Sequence, residues 1–270
     1  MKPLVLCADD FAWNGAVSSG IAALAEMGRL TATSAMVLSP RWPHDVLRLR
    51  DLQGRLDVGL HLDWTSPFAV TAGHGRSLAG TMARAVLGRL GLTPVREVIE
   101  RQLDAFESRW KAPPDHVDGH QHVQQFAGVR DALVEVLARR YPRQAPWVRV
   151  SQPASGRQDV KSRVISAMGA GDLRQLADRA GIPSSPALAG IYDFQGGPTA
   201  YGRHMDRWLA TSPPGTVVMC HPAGVVDACD GIGLARAGEF AYLRSEAFES
   251  ALHFAGVKLL RGTALYTARQ

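Results

Sequence analysis

Short apolar runs alternate along the chain with longer segments whose apolar residues recur every three or four positions. The run at residues 4–8 is continuous, as in a strand that is buried on both faces of a sheet. Further strand-like runs lie at about 34–38, 58–62, 116–123, 148–150, 217–220 and 258–260. Helical patterns lie at about 16–27, 43–52, 82–90, 95–110, 129–139, 160–180, 201–210 and 240–254.

This alternation of strand and helix predicts parallel strands joined by right-handed crossovers. With about seven such units in 270 residues, we expect an α/β fold of the distorted (β/α) TIM-like barrel type. An open doubly wound sheet is the alternative, because periodicity alone does not separate the two. No linker divides residues 1–270, which predicts a single domain. Neither a GxxxxGK[ST] loop nor a GxGxxG turn follows the first strand, which weakens nucleotide-binding interpretations.

Composition narrows the class of protein. The chain is 46% hydrophobic and 20% charged, which excludes a disordered protein. A formal charge of +5 is mild for this length, and the arginines are scattered, so we expect no nucleic-acid partner. The oligomeric state is open, with a homodimer as one possibility.

The cysteines and the N-terminus bear on location. Cys7 and Cys220 lie in apolar runs, and with Cys229 they form no CxxC pair, which suits reduced thiols in a reducing compartment. The six-residue apolar stretch before Asp9 is too short for the core of a signal peptide. No run reaches the roughly 18 apolar residues of a transmembrane helix. A cytoplasmic protein is therefore expected.

Polar residues with catalytic potential cluster within or just after the predicted strands, where the active sites of parallel barrels lie. They are Asp9, Asp10, His61, Asp63, His116, Asp118, His120, His122, Arg149 and His221. Some have ordinary structural interpretations: the acidic pair could cap the next helix, and His61 could be a hydrogen-bonded core residue. Alternate residues from His116 to His122 would share one face of a strand. Burying four such groups is costly unless they are paired or bind a cation, which favours a metal site.

One carboxylate and two imidazoles are a frequent ligand set for a catalytic divalent ion. Nitrogen ligands favour zinc or a similar transition ion over magnesium. Such an ion activates water and polarises a carbonyl, a second carboxylate can act as general base, and a histidine can protonate the leaving group. Two adjacent acids would fit this chemistry if the strand breaks into its loop at the pair, since adjacent strand residues face opposite ways.

Four motifs in order resemble the YdjC-like carbohydrate deacetylases. They are Ala8-Asp9-Asp10-Phe11, Gly59-Leu60-His61-Leu62, His116-Val117-Asp118-Gly119-His120-Gln121-His122-Val123 and Cys220-His221-Pro222. The resemblance implies a barrel related to the polysaccharide deacetylases, one divalent metal ion, and removal of N-acetyl groups from amino sugars, oligosaccharides or glycoconjugates. It implies metal ligation by Asp10, His61 and His120. Asp9 is then the general base, His221 the acid near the leaving group, and Arg149 the group that orients the base.

Departures from the family's pattern bear on substrate preference. Ala12 stands where the family usually has glycine, and Gln121 and Gln124 stand where histidines are common. His116 and His122 are expected to support the ligands or contact the sugar, and Asp118 to accept a hydrogen bond. Four aromatic residues in expected top-face loops could either stack on sugar rings or pack in the loops. They are Trp13, Trp64, Tyr192 and Phe194.

Two other functions stay open at this stage. A metal hydrolase on the same barrel could act on another amide or ester, such as a cyclic imide or an acylated lipid-linked sugar. A relative could also bind carbohydrate without catalysis, although an unliganded acid beside the ligand set argues against this. The motifs do not reveal the sugar, its length or the position of the acetyl group, nor the role of residues 66–94.

Overall fold

The computed structural model describes residues 1–154 and 160–266. In these ranges the strands are β1 (Lys2–Phe11), β2 (Ala32–Ala35), β3 (Asp57–Leu62), β4 (His116–Gly119), β5 (Trp147–Val148), β6 (Leu188–Ala189), β7 (Val217–Cys220) and β8 (Val257–Leu259). The helices are α1 (Gly15–Glu26), α2 (Trp42–Asp45), α3 (Pro67–Thr71), α4 (Leu78–Val86), α5 (Leu92–Trp110), α6 (Val129–Arg140), α7 (Val160–Ala167), α8 (Ala170–Arg179), α9 (Gly197–Thr211), α10 (Gly233–Leu243), α11 (Glu246–Phe254) and α12 (Gly262–Leu265). Two 3-10 helices span Val46–Leu52 and His120–Gln125.

The strand pairings described for this sheet are all parallel, in the order β5-β4-β3-β2-β1-β7-β6, and β8 pairs with the first residues of β1. Isolated bridges join Val148 to Ser184 and Pro153 to Leu188, so short segments link the two edges of the curled sheet. The structure therefore confirms the predicted barrel-like α/β fold with parallel strands. The first strand lies in the middle of the sheet, between β2 and β7.

The two faces of β1 pack against different partners. Leu4, Leu6 and Ala8 belong to the large apolar cluster that includes the surrounding helices. Val5 and Cys7 belong to a smaller cluster inside the barrel, whose other members come mainly from neighbouring strands. Odd-numbered residues of β1 therefore point into the barrel, as the two-residue period of a strand requires.

Several predicted elements have different bounds in the structure. The predicted strand at 116–123 ends at Gly119 and continues as a 3-10 helix. The predicted helix at 160–180 divides into α7 and α8, since Gly169 adopts a φ of +116° between them. The predicted helix at 240–254 begins earlier and is also two helices, α10 and α11. The segment at 66–94 forms α3 and α4, with α4 starting at Leu78 rather than 82. Among the described residues, no helix combines the length and apolarity needed to cross a bilayer.

Candidate active site

A bulge in β1 turns two successive carboxylates towards the same end of the barrel. Asp9 continues the inward face of Cys7, so in a regular strand Asp10 would point outward. The register with β2 shifts between Ala8 and Phe11, and Asp10 adopts a φ of +68°. The strand break that the paired acids were expected to need is thus a bulge inside β1, not the start of a loop. The alternative role of the pair as a helix cap is not used, because the side chain of Asn14 caps α1.

Three predicted metal ligands come together at the carboxyl ends of β1, β3 and β4. The Oδ1 atom of Asp10 lies 3.5 Å from His61 Nε2 and 3.2 Å from His120 Nδ1. One ligand atom from each residue lies within 4.8 Å of the others. The three donors face one another, and one carboxylate with two imidazoles matches the ligand set of zinc and similar ions. The residues present therefore fit a divalent transition metal.

Asp118 lies behind His61 and sets its orientation. Its Oδ1 is 2.6 Å from His61 Nδ1, which leaves Nε2 directed at Asp10. Burial lowers the pKa of His61, but Asp118 and Asp10 outweigh it and raise that pKa to about 10. The other oxygen of Asp118 accepts a hydrogen bond from Ser34 at 2.5 Å.

Asp9 is held by Arg149 and is outside the three-ligand cluster. Two nitrogens of Arg149 donate to the two oxygens of Asp9, at 2.6 and 2.7 Å. Burial raises the pKa of Asp9, but the Arg149 guanidinium and His61 lower it below the usual range. Arg149 also lies 3.2 Å from Asp118. Asp9 is therefore an ionised carboxylate in a fixed orientation, as a general base requires.

His221 lies directly after β7, beside Asp9. Its Nε2 is 4.0 Å from Asp9 Oδ2, and the ring of Phe194 packs edge-on at 5.3 Å. Burial, partly offset by Asp9, lowers the pKa of His221 to about 4. The imidazole is therefore neutral near pH 7, and its Nε2 is farther from Asp9 than a direct hydrogen bond allows.

Two site residues on α10 were missing from the sequence prediction. Arg236 donates to Oδ2 of Asp10 at 2.7 Å, and Glu239 accepts from the backbone N–H of His221 at 2.5 Å. Both are almost completely buried. Arg236 and Glu239 are three residues apart, the spacing of one helix face, which was the signal that the sequence offered. The predicted helix, however, began only at residue 240. Burial raises the pKa of Glu239 to about 7.

The 3-10 helix after β4 corrects the expected geometry of the histidine motif. Gln121 and His122 both have left-handed φ angles, so the alternation of a strand stops at Gly119. His122 does not continue the face of Asp118, and its Nδ1 instead lies 2.9 Å from Ser151 Oγ. Burial, then the charge of Arg149, lowers the pKa of His122 to about 3. His122 thus lies near the site as a neutral group.

His116 lies deeper in the barrel than the ligands. It has no exposed surface, stacks on Trp147 at 4.4 Å between ring centroids, and its Nε2 is 3.0 Å from Ser34 Oγ. Gly59 is packed against this ring, since a Cβ there would lie 2.3 Å from it. Of the two roles expected for His116, this position suits support of the ligands through Ser34 and Asp118.

The predicted aromatic contacts differ in exposure. Trp13 is half-buried, stacks on His120 at 5.7 Å and meets Phe68 edge-on at 5.3 Å. Trp64 is only 4% exposed, which leaves it little surface for a ligand. Tyr192 is buried and its hydroxyl donates to Glu239. Trp13 is therefore the best placed of these residues to meet a substrate beside the metal ligands.

Comparison with known families agrees with this geometry. The family model described as "YdjC-like protein" matches residues 3–253. The chain belongs to the YdjC-like family. A chitooligosaccharide deacetylase of Klebsiella pneumoniae (strain 342) is 26% identical over 265 residues, which are 96% of this chain and 97% of that protein. One from Serratia marcescens is 31% identical over 144 residues, but this match spans only 51% of the chain and 56% of that relative.

Solved structures place the YdjC-like chain among barrel proteins. A protein from Enterococcus faecalis V583, whose name refers to cellobiose-phosphate cleavage, superposes with a TM-score of 0.73 at 21% identity, over 98% of this chain and 99% of that one. A peptidoglycan N-acetylglucosamine deacetylase superposes with a TM-score of 0.51 at 9% identity, over 99% and 90% of the two chains. At these identities the likeness shows the fold alone.

Ala12 adopts a backbone conformation that favours glycine. Its φ is +74°, a region that costs a residue with a Cβ about 1–2 kcal/mol. The conformation is held by two bonds: Ala12 N–H donates to Ser18 at 3.1 Å, and Ser39 donates to the Ala12 carbonyl at 2.6 Å. The loop thus keeps the shape that glycine would adopt freely, without glycine.

Proposed function

We propose that this protein is a metal-dependent deacetylase that hydrolyses the N-acetyl group of an amino sugar, oligosaccharide or glycoconjugate. One observation carries the proposal: Asp9, held by both ends of Arg149, lies beside His61 of the Asp10–His61–His120 cluster and 4.0 Å from His221. A binding protein needs no such unliganded acid. The names of the Klebsiella and Serratia relatives support an acetylated amino sugar as substrate.

Asp10, His61 and His120 hold the metal ion in this proposal, and the two imidazoles favour zinc or a similar transition ion. When bound, the ion would polarise the acetyl carbonyl and lower the pKa of water. The free thiols Cys7, Cys220 and Cys229 support our expectation of a reducing, cytoplasmic environment.

The residues of the chain move the protons. Asp9, held by Arg149, accepts a proton from the attacking water as the water oxygen bonds to the acetyl carbon. His221 is neutral near pH 7, so it first receives that proton from Asp9, and at 4.0 Å this transfer needs a bridging water. It then protonates the amide nitrogen as the carbon–nitrogen bond breaks. The first products are acetic acid, which keeps the second proton of the water, and the free amine; a proton then passes between them to give acetate and the ammonium form, and the side chains return to their starting charges.

Asp9→Asn tests this assignment. The variant should retain its metal content, because Asp9 is outside the ligand cluster, and should lose acetate release by at least about 100-fold, the usual range for a general base. Acetate is measured on N-acetylated mono-, di- and lipid-linked saccharides with the metal varied. Asp206→Asn, an exposed change of the same chemistry, is the matched control.

Normal acetate release by Asp9→Asn would show that the mechanism is wrong. Hydrolysis of other amides or esters without acetate release from any of the sugars would instead favour a different substrate class.

A further inference from the structure

We propose that Arg236 is a positioning residue for the metal site: it holds one oxygen of Asp10 so that the other faces His61 and His120. Arg236 Nη2 lies 2.7 Å from Asp10 Oδ2, whereas Asp10 Oδ1 is the atom near both imidazoles. The two oxygens of one carboxylate are thus divided between a guanidinium and the ligand cluster. This inference rests on the metal site of the proposed function.

The guanidinium is itself held from several sides. Its Nε donates to Asp230 at 2.7 Å, and its Nη1 donates to the carbonyl of His221 at 3.4 Å. The backbone carbonyl of Arg236 also accepts from Ala223 N–H at 3.1 Å. The Arg236 side chain is only 3% exposed. A planar donor fixed at this many points can dictate the rotation of the carboxylate that it contacts.

Charge and geometry make opposite predictions for this contact. By charge alone, a cation beside Asp10 repels a divalent ion, so its removal should tighten metal binding. If Arg236 acts by orientation, its removal frees Asp10 to rotate and metal binding should weaken. Loss of a residue that orients a ligand typically costs 10- to 100-fold in metal affinity. The sign of the change therefore separates the two.

The experiment measures Co²⁺ binding to the full chain by titration and by visible absorption. Arg236→Gln should weaken Co²⁺ binding, with a Kd about 10- to 100-fold higher than that of the wild type. Its absorption bands at saturating Co²⁺ should also differ from those of the wild type, because the ligand oxygen is no longer fixed. Arg236→Lys keeps the positive charge but loses the planar set of donors of the guanidinium, so the Kd should rise less than in Arg236→Gln. Arg96→Gln, which removes a partly exposed arginine paired with Glu135, should leave both readouts unchanged.

An equal or tighter Kd in Arg236→Gln, or an unaltered Co²⁺ spectrum, would overturn the proposal. If Arg236→Gln does not fold, Arg236→Lys and Asp230→Asn decide instead. Asp230→Asn weakens the hydrogen bond that holds Arg236 Nε, and the proposal requires that this variant also bind Co²⁺ with a higher Kd. The metal site is tested separately by Asp10→Asn. If that variant binds Co²⁺ as the wild type does, the proposed ligand set fails and this inference fails with it; if only the Arg236 variants behave as wild type, the inference alone fails.

Discussion

Arg149 grips Asp9 with both ends of its guanidinium, at 2.6 and 2.7 Å, and neither residue has appreciable exposed surface. The fork fixes the plane of the carboxylate and keeps it ionised where burial alone would neutralise it. Arg149 follows β5, which lies at one edge of the sheet, four strands away from β1, which carries Asp9. The two side chains can meet only because the sheet curls, so the orientation of the base depends on the curvature of the barrel.

Arg149→Lys should therefore impair the base without emptying the metal site. A lysine offers a point charge in place of the fork, so we expect kcat for acetate release to fall at least about tenfold. The metal Kd should change less than about threefold, because Arg149 contacts none of the three ligands. Metal content and acetate release measured on the same preparation check both parts.

A double-mutant cycle adds a control. If Arg149 acts through Asp9, the effect of Arg149→Lys on kcat should largely disappear in the Asp9→Asn background. Additive effects of the two changes would mean that Arg149 acts elsewhere, for instance through Asp118.

Alanine substitutions at Trp13 and Trp64 should have different effects, because Trp13 is expected to contact the substrate and Trp64 to pack in the core. Trp13→Ala removes a half-buried ring that stacks on His120, and we expect KM to rise about five- to tenfold, as loss of one stacking contact of about 1 kcal/mol would give. Trp64→Ala removes a buried ring and should instead lower the free energy of unfolding by about 3 kcal/mol or more. Steady-state kinetics and urea unfolding of both variants are the measurements. An unchanged KM in Trp13→Ala would leave this ring a packing role.

Gly59→Ala should disturb the packing of His116, the residue that supports the proposed metal ligands. The new Cβ would lie 2.3 Å from the ring of His116, which cannot retreat because it stacks on Trp147. We expect a loss of about 1–3 kcal/mol in unfolding free energy, as for other overpacked cores. Gly171→Ala is the control: nothing lies within 4 Å of its Cβ, so stability should be unchanged or rise by up to about 1 kcal/mol. Equal effects of the two changes would contradict the close packing at Gly59.

Asp115, which lies outside the active site, should make the free energy of unfolding depend on pH. Burial and the nearby charge of Asp57 raise its pKa to about 6, against about 3.9 when unfolded. The folded state therefore holds a proton more tightly, and stability is lost as pH rises from about 4 to about 6. Asp115→Asn keeps an acceptor for Val58 N–H but removes the charge. Its stability relative to wild type should rise by about 1–2 kcal/mol between pH 4.5 and pH 7.5, less than the full shift because Asp115 is partly exposed.

Urea unfolding at a series of pH values measures this difference. A gap between Asp115→Asn and wild type that stays constant with pH would show that Asp115 keeps an ordinary pKa in the folded chain.

The fold and the central ligand cluster were accessible from the sequence for a physical reason. Parallel strands expose their carboxyl ends on one side, so polar residues at the ends of apolar runs must meet there. This rule placed Asp10, His61 and His120 in one set of ten candidates although they lie far apart in the chain. The resemblance to the YdjC-like deacetylases then singled out these three as the expected ligands.

What the sequence did not reveal depends on departures from regular geometry. The left-handed Asp10 and His122 both break the two-residue period. The adjacent acids led us to expect a break at Asp10, but not a bulge within the strand, and no glycine marks the break at His122. Arg236 and Glu239 reach the site from a helix, 226 residues after Asp10 in the first case. Contacts over such separations are decided by packing of the whole barrel, which periodicity cannot report.

The central position of β1 has a consequence for assembly. Among the described strands β1 is made first, and its neighbour β2 follows within some thirty residues, but its other neighbour, β7, is made only after residue 216. Until then one flank of β1, with both carboxylates at its end, has no strand to pair with. His221 and Arg236 arrive later still. In synthesis from the N-terminal end, the three proposed ligands Asp10, His61 and His120 therefore all precede the proposed acid and the arginine that contacts Asp10.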